Sequence, residues 1–257
     1  MKIYGVLVLV AAACGGGGGN APDAPGGDDA TPDGPPGPPR KVGVVGAFEE
    51  TITGAGALTG VLAQFTDGTA SGTPDRVDGA CVIHSTAGET GMLASAGTVT
   101  VTRGNDVVTL VPDGASMYAG SIKQGLIYKP GDTLTVAATG ATVPQFSGDV
   151  VFPDMATVSE PTTFPSVIKD GFMVAWTGAA GVRVQITQSG FVIQCDVTGT
   201  SAMIPASALS DLVAGNMAAM QISLQIGVLA RTPVTAGEFS VELQGLNASF
   251  AAIGFSP

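Results

Sequence analysis

From Met220 to Val228 the chain reads MQISLQIGV, with an apolar residue at every second position and glutamine, serine or glycine between. A strand sends successive side chains to opposite faces, whereas a helix needs apolar spacings of three and four. The two-residue period recurs nearby. Val182, Val184 and Ile186 alternate with Arg183, Gln185 and Thr187, and Phe239, Val241 and Leu243 alternate with Ser240, Glu242 and Gln244. Phe191, Ile193, Cys195 and Val197 form another one-sided set. In the first half Val99 and Val101 are flanked by Thr98, Thr100 and Thr102, and Leu134 and Val136 by Thr133 and Thr135. Turn signals stand at Gly104-Asn105-Asp106, Pro112-Asp113-Gly114 and Pro130-Gly131-Asp132. One segment, Pro205 to Val213, suits a helix, with proline in the first turn. One-sided strands belong to antiparallel sheets packed face to face. The expected fold class is therefore all-β, with two antiparallel β-sandwich-like domains.

Composition divides the chain further. Residues 15–39 read GGGGGNAPDAPGGDDATPDGPPGPP, with no apolar side chain larger than alanine or proline. Such a segment cannot offset its ordering entropy and is expected to be a disordered tether. At about 3.1 Å per residue it reaches roughly 75 Å when extended. The expected organisation is a signal peptide at 1–13, tether at 14–41, first β domain at 42–152, linker at 153–165 and second β domain at 166–257. The linker assignment rests on PDMATVSEPTTFP, which holds three prolines and no clear period. Of 21 acidic and 10 basic residues, 4 and 1 precede Arg40, which leaves a net −8 on the body. Arg40-Lys41 is its largest basic cluster, so neither nucleic acid nor an anionic lipid surface is an expected partner of the body.

The N-terminus is more specific. After Met1-Lys2, residues Ile3 to Ala13 carry no charge. Eleven helical residues span only about 16 Å, which suits the apolar part of an export signal better than a membrane span. Ala11-Ala12-Ala13 then precede Cys14. This stretch resembles a bacterial lipoprotein signal, in which small residues precede an obligatory cysteine. The resemblance implies cleavage before Cys14, a thioether-linked diacylglycerol on its sulfur and a further acyl chain on its amine. Two or three chains hold a protein on a bilayer far more firmly than one. Ala11-x-Ala13 would also serve as an ordinary secretory cleavage site. Gly15, where some lipoproteins carry a retaining aspartate, favours the outer membrane or cell surface.

Residues 164–188, FPSVIKDGFMVAWTGAAGVRVQITQ, resemble the opening strands of a fibronectin type III or other immunoglobulin-like domain. In that family a tryptophan on an early strand fills the space between sheets, and Trp176 shares an alternating face with Phe172 and Val174. The resemblance implies a sandwich and a binding or spacing role; it lacks the paired cysteines of antibody domains.

With Cys14 acylated, Cys81 and Cys195 remain. In an oxidising compartment they are disulfide candidates that would join the two halves, although each also sits on an apolar strand face as a buried thiol would. Closing a loop of about 100 residues contributes roughly 4.7 kcal/mol in the chain-entropy model. Chemistry-bearing motifs are scarce. His84 is the sole histidine and alternates with Ala80 and Val82 in GACVIHST, which reads as a strand-face residue. The chain has no G-x-S-x-G elbow and no phosphate-binding loop, and Gly54, Gly56 and Gly60 have the wrong spacing for a dinucleotide turn. No catalytic residue and no cofactor are expected. Asp67, Asp75 and Asp78 lie in an oxygen-rich stretch and are weak metal candidates, because the residue order of a dedicated calcium loop is missing. Asn247-Ala248-Ser249 matches a glycosylation triplet on an alternating strand.

The expected function is that of a non-catalytic envelope lipoprotein, held on a lipid bilayer through Cys14, whose β body binds or scaffolds a protein or polysaccharide of the envelope. Two other classes stay open. One is an envelope hydrolase using a carboxylate or hydroxyl, and the other is a calcium-dependent adhesion module built on residues 67–78.

Overall fold

A computed structural model describes residues 40–52, 56–69, 76–85, 90–124, 127–162, 170–188, 191–214 and 221–255. The chain begins with β1 (Arg40–Ile52), which pairs along its whole length with β2 (Gly56–Thr69). A short hairpin follows, β3 (Arg76–Asp78) and β4 (Cys81–Ser85), and β5 (Thr90–Leu93) returns to β2. Next come β6 (Val99–Arg103), β7 (Asp106–Leu110), β8 (Ser121–Gln124), β9 (Thr133–Ala138) and β10 (Phe146–Val151). The second half holds β11 (Thr157–Glu160), β12 (Phe172–Thr177), β13 (Gly181–Gln188), β14 (Phe191–Thr198) and β15 (Ser201–Ile204). Helix α1 (Ala206–Ala214) precedes the long pair β16 (Gln221–Ala236) and β17 (Phe239–Phe255). The all-β class, the short helix and the alternating strands are as the periodicity predicts. The 104–106 turn signal forms a two-residue hairpin loop, with Gly104 at a φ of 55° that a side chain would resist.

These strands form three sheets. The largest runs β3-β4-β14-β13-β16-β17-β1-β2-β5, with β8 also paired to β2. A four-stranded sheet, β10-β9-β6-β7, and a three-stranded sheet, β11-β12-β15, complete the set. Both pack on one side of the large sheet, here called its core face, and each encloses a separate apolar cluster. The first cluster joins Val45, Ala47, Val61, Phe65, Val241 and Leu243 of the large sheet to Val99, Val101, Leu134, Val136, Phe146 and Val150. In the second, Val182, Val184, Ile186, Ile193, Leu224 and Ile226 meet Phe172, Val174, Trp176, Ile204 and Leu209. Strand β16 serves both, since Leu224 and Ile226 enter the second cluster while Ala236 enters the first.

The architecture departs from the expected one in two ways. Instead of dividing at 153–165, strands from both halves share the large sheet. Phe152 is buried in the first cluster and Ala156 in the second, so the chain passes from one core to the other within residues 152–156. Pro153 is buried there, and residues 157–160 form β11. In addition, β1 pairs with β17 in parallel, from Val42 opposite Ser240 to Glu50 opposite Ala248. A parallel pair needs a long crossover, and here nearly the whole body provides it.

A buried polar band as candidate functional site

The face of the large sheet opposite the two cores carries the residues that alternate with the core set. On β13 these are Arg183, Gln185 and Thr187; on β14 they include Gln194 and Asp196; on β16, Gln225 and Gly227. Register places Arg183 opposite both Asp196 and Gly227, Gln185 opposite both Gln194 and Gln225, and Ala248 opposite both Gly227 and Glu50. Paired residues share a face, so one band of polar groups runs from β14 across the sheet to β1.

Its members hydrogen-bond to one another. The Arg183 guanidinium donates from Nε to Asp196 Oδ1 at 2.7 Å and from Nη2 to Oδ2 at 2.5 Å, a bidentate pair. Arg183 Nη1 donates to Gln194 Oε1 at 3.2 Å, and Gln194 Nε2 donates to Gln185 Oε1 at 3.1 Å. Gln225 Nε2 donates to Glu50 Oε1 at 2.8 Å. Arg183 is only 9 % exposed and Glu50 6 %. Burial pushes the Glu50 carboxyl above its ordinary value, and the Gln225 bond opposes that shift. Beside the band the same face turns apolar, with Phe48, Leu246 and Ala248 buried against Leu62 and Leu229.

Glu49, the neighbour of Glu50, points the other way. Its Oε2 accepts from Thr59 Oγ1 at 2.6 Å, and its Oε1 accepts from the backbone N–H groups of Ile127 and Tyr128 at 2.7 and 2.6 Å. The carboxylate fastens the 127–128 segment to β1, and the Tyr128 ring packs against that of Phe152, with centroids 5.5 Å apart and planes tilted by 43°. Burial, reinforced by the Glu49 charge, pushes the Tyr128 phenol up to about 12. Successive residues on a strand face opposite sides, so Glu49 and Glu50 do not flank a common cleft, which paired-carboxylate chemistry requires.

The residues singled out from sequence are scattered. Cys14 and Asp75 lie outside the described residues. Asp67, on β2, is 3.7 Å from Lys41 Nζ, and Asp78, on β3, is 3.8 Å from Arg76 Nη1. Strands β4, β14, β13, β16, β17 and β1 separate those two aspartates in the sheet. Among the described residues no three His, Cys, Asp or Glu side chains are grouped to hold a metal ion. His84 stands on β4 opposite Val192, half-buried. Asn247 is buried with its amide donated to Pro153 O at 3.2 Å, so in the folded chain the triplet presents no free amide for glycosylation. Cys81 and Cys195 do meet. They are direct ladder partners on β4 and β14, joined as a disulfide with Cα atoms 4.0 Å apart.

Sequence reasoning passed over Glu49, Glu50 and the glutamines. The available signal was GAFEETI, two acids inside an apolar run, together with glutamine recurring at the polar positions of the second-half strands. As chemistry, the band offers amides, a neutralised guanidinium and one carboxylate already engaged by an amide. That inventory suits holding strands in register and exchanging hydrogen bonds with neutral polar groups. No protein-family model matches the chain, and no curated protein matches it.

Proposed function

We propose that this chain is a lipid-anchored, non-catalytic protein of the bacterial envelope, whose β body scaffolds or binds surface components of protein or polysaccharide nature. The observation that supports it most is Cys14, which follows an uncharged eleven-residue run and three alanines. The Cys81–Cys195 disulfide supports the same reading, because such bonds persist in oxidising compartments and are rare in the cytosol. The polar band supports a holding role over a catalytic one, since its groups are spent on each other. Trp176, buried in one cluster with Phe172, Val174 and Val184, supports reading the second half as fibronectin-like. Gly15 favours the outer membrane or cell surface as destination.

The test is intact mass and detergent-phase partition of the full-length protein made in a lipoprotein-processing bacterium, beside Cys14→Ser. The expected result is a mature chain beginning at Cys14, heavier by its acyl groups and partitioning with detergent, with the variant released to the aqueous phase. A native chain that begins elsewhere or lacks the adduct overturns the proposal.

A further inference from the structure

We infer that the parallel pair β1–β17 is a mechanical clamp, which makes the body resist tension entering at Arg40 and leaving towards the end of β17. The inference rests on the anchored reading only for the source of the tension; the clamp itself rests on topology. From Val42 opposite Ser240 to Glu50 opposite Ala248 the two strands run in the same direction. The start of β1 and the end of β17 therefore lie at opposite ends of one ladder, and pulling them apart slides one strand along the other. In that geometry the ladder bonds are loaded together, whereas a ladder opened from one end yields them singly. On its other side β1 is paired to β2 from Arg40 opposite Gly68 to Ile52 opposite Gly56, so it has no open edge to peel.

Side chains oppose sliding along the same axis. Gly43 lies under the Phe65 ring and Gly60 under the Phe48 ring, one pair on each face of the β1–β2 ribbon; a Cβ at either glycine would come within 2.3 and 2.1 Å of the ring. Sliding β1 along β2 to the next same-face register, two residues on, would set Lys41 or Val45 against the Phe65 ring and Leu58 or Leu62 against the Phe48 ring. At the point of entry Lys41 Nζ reaches Glu238 at 2.7 Å and Asp67 at 3.7 Å, which ties β1 to the β16–β17 turn and to β2. Towards the far end Glu49 and Glu50 fasten β1 to the 127–128 segment and to β16.

Single-molecule pulling on the full chain carrying Cys14→Ser and Ser240→Cys, an exposed position where the ladder begins, tests this. The same folded molecule is held first by its N- and C-termini, which shears the β1–β17 ladder, and then by its N-terminus and residue 240, which opens that ladder from the end where it begins. Forced unfolding reports the barrier to unfolding, so the sheared geometry is expected to need severalfold more force. Equal or lower force in the N-to-C geometry overturns the clamp. Because the variant carries no lipid, a missing acyl group in the native protein would leave this result standing, and a failed clamp would leave the anchored reading standing.

Discussion

The two apolar clusters share a sheet and a chain yet are secured differently. The first is filled by aromatic rings in contact, with Phe65 5.7 Å from Tyr118 and 5.9 Å from Phe146, and is closed by the buried Glu49 carboxylate. Its chain comes from both ends of the sequence. The second is centred on Trp176, whose indole N–H donates to Ala179 O at 3.2 Å, and is bound by a covalent link between β4 and β14. That disulfide joins β4, a short strand from the first half, to β14 of the second half within the large sheet. A strand of five residues has a short ladder, and a cross-link compensates for it. The long central strands hold through ladder length and ring-over-glycine packing.

Truncating the tryptophan offers the largest break in this comparison. Trp176→Ala should cost about 3–5 kcal/mol, the range for deleting a fully buried large side chain. Among the described residues the tyrosines, Tyr118 and Tyr128, belong to the first cluster, so their fluorescence follows that cluster alone. Because β16 lines both clusters, the denaturation midpoint read by the tyrosines should fall with the rest; an unmoved tyrosine midpoint would make the two sandwiches independent units. Replacing both Cys81 and Cys195 by alanine should cost about 2–5 kcal/mol, measured by urea denaturation against the oxidised protein. Amide exchange in β3 and β4 should rise more than in β1.

Gly43→Ala sharpens the comparison from the other side. Its Cβ would stand 2.3 Å from the Phe65 ring, and overpacking of this kind costs about 1–3 kcal/mol, read as a lowered urea midpoint. A neutral result would mean that Phe65 has room to turn. The smallest effect is expected at Glu50. Burial raises its carboxyl in the folded state, so its favourable contribution is complete below the unfolded value near 4.5 and is lost as pH rises through the folded value. Glu50→Gln should therefore be more stable than the parent at pH 7 and indistinguishable from it near pH 4. Thermal melts at the two pH values decide this, and equal gains at both would remove the titration from the explanation.

Much of the local structure was legible from residue types. The alternation at 182–187, 191–197 and 239–244 became strands with the apolar set inward, and PASALSDLV became the helix. Other features were not. Strand β16 continues through Pro233, because β13 pairs β16 only from residue 223 to 227 and the proline lies beyond that partner. The segment at 153–165 reads as a linker because its prolines erase the period, although among its described residues Pro153 and Ala156 are buried and 157–160 form β11. The polar band was hidden for a different reason. Glutamine on an outward strand position reads as a wet surface, and only the register shows Gln185, Gln194 and Gln225 abreast.

By itself, then, the sequence determined which segments are extended, which side of each is apolar, and that a cysteine follows an uncharged run near the N-terminus. Those properties depend on neighbours within a few positions, and alternation of side chains encodes them directly. The tertiary structure alone decided that β1 lies parallel to β17, that Asp67 and Asp78 stand far apart, and that adjacent glutamates secure opposite faces. Backbone ladders form between any two extended segments of suitable pattern. The choice of partner therefore depends on how rings, glycines and buried charges fit once the whole sheet is assembled, and no local pattern records that fit.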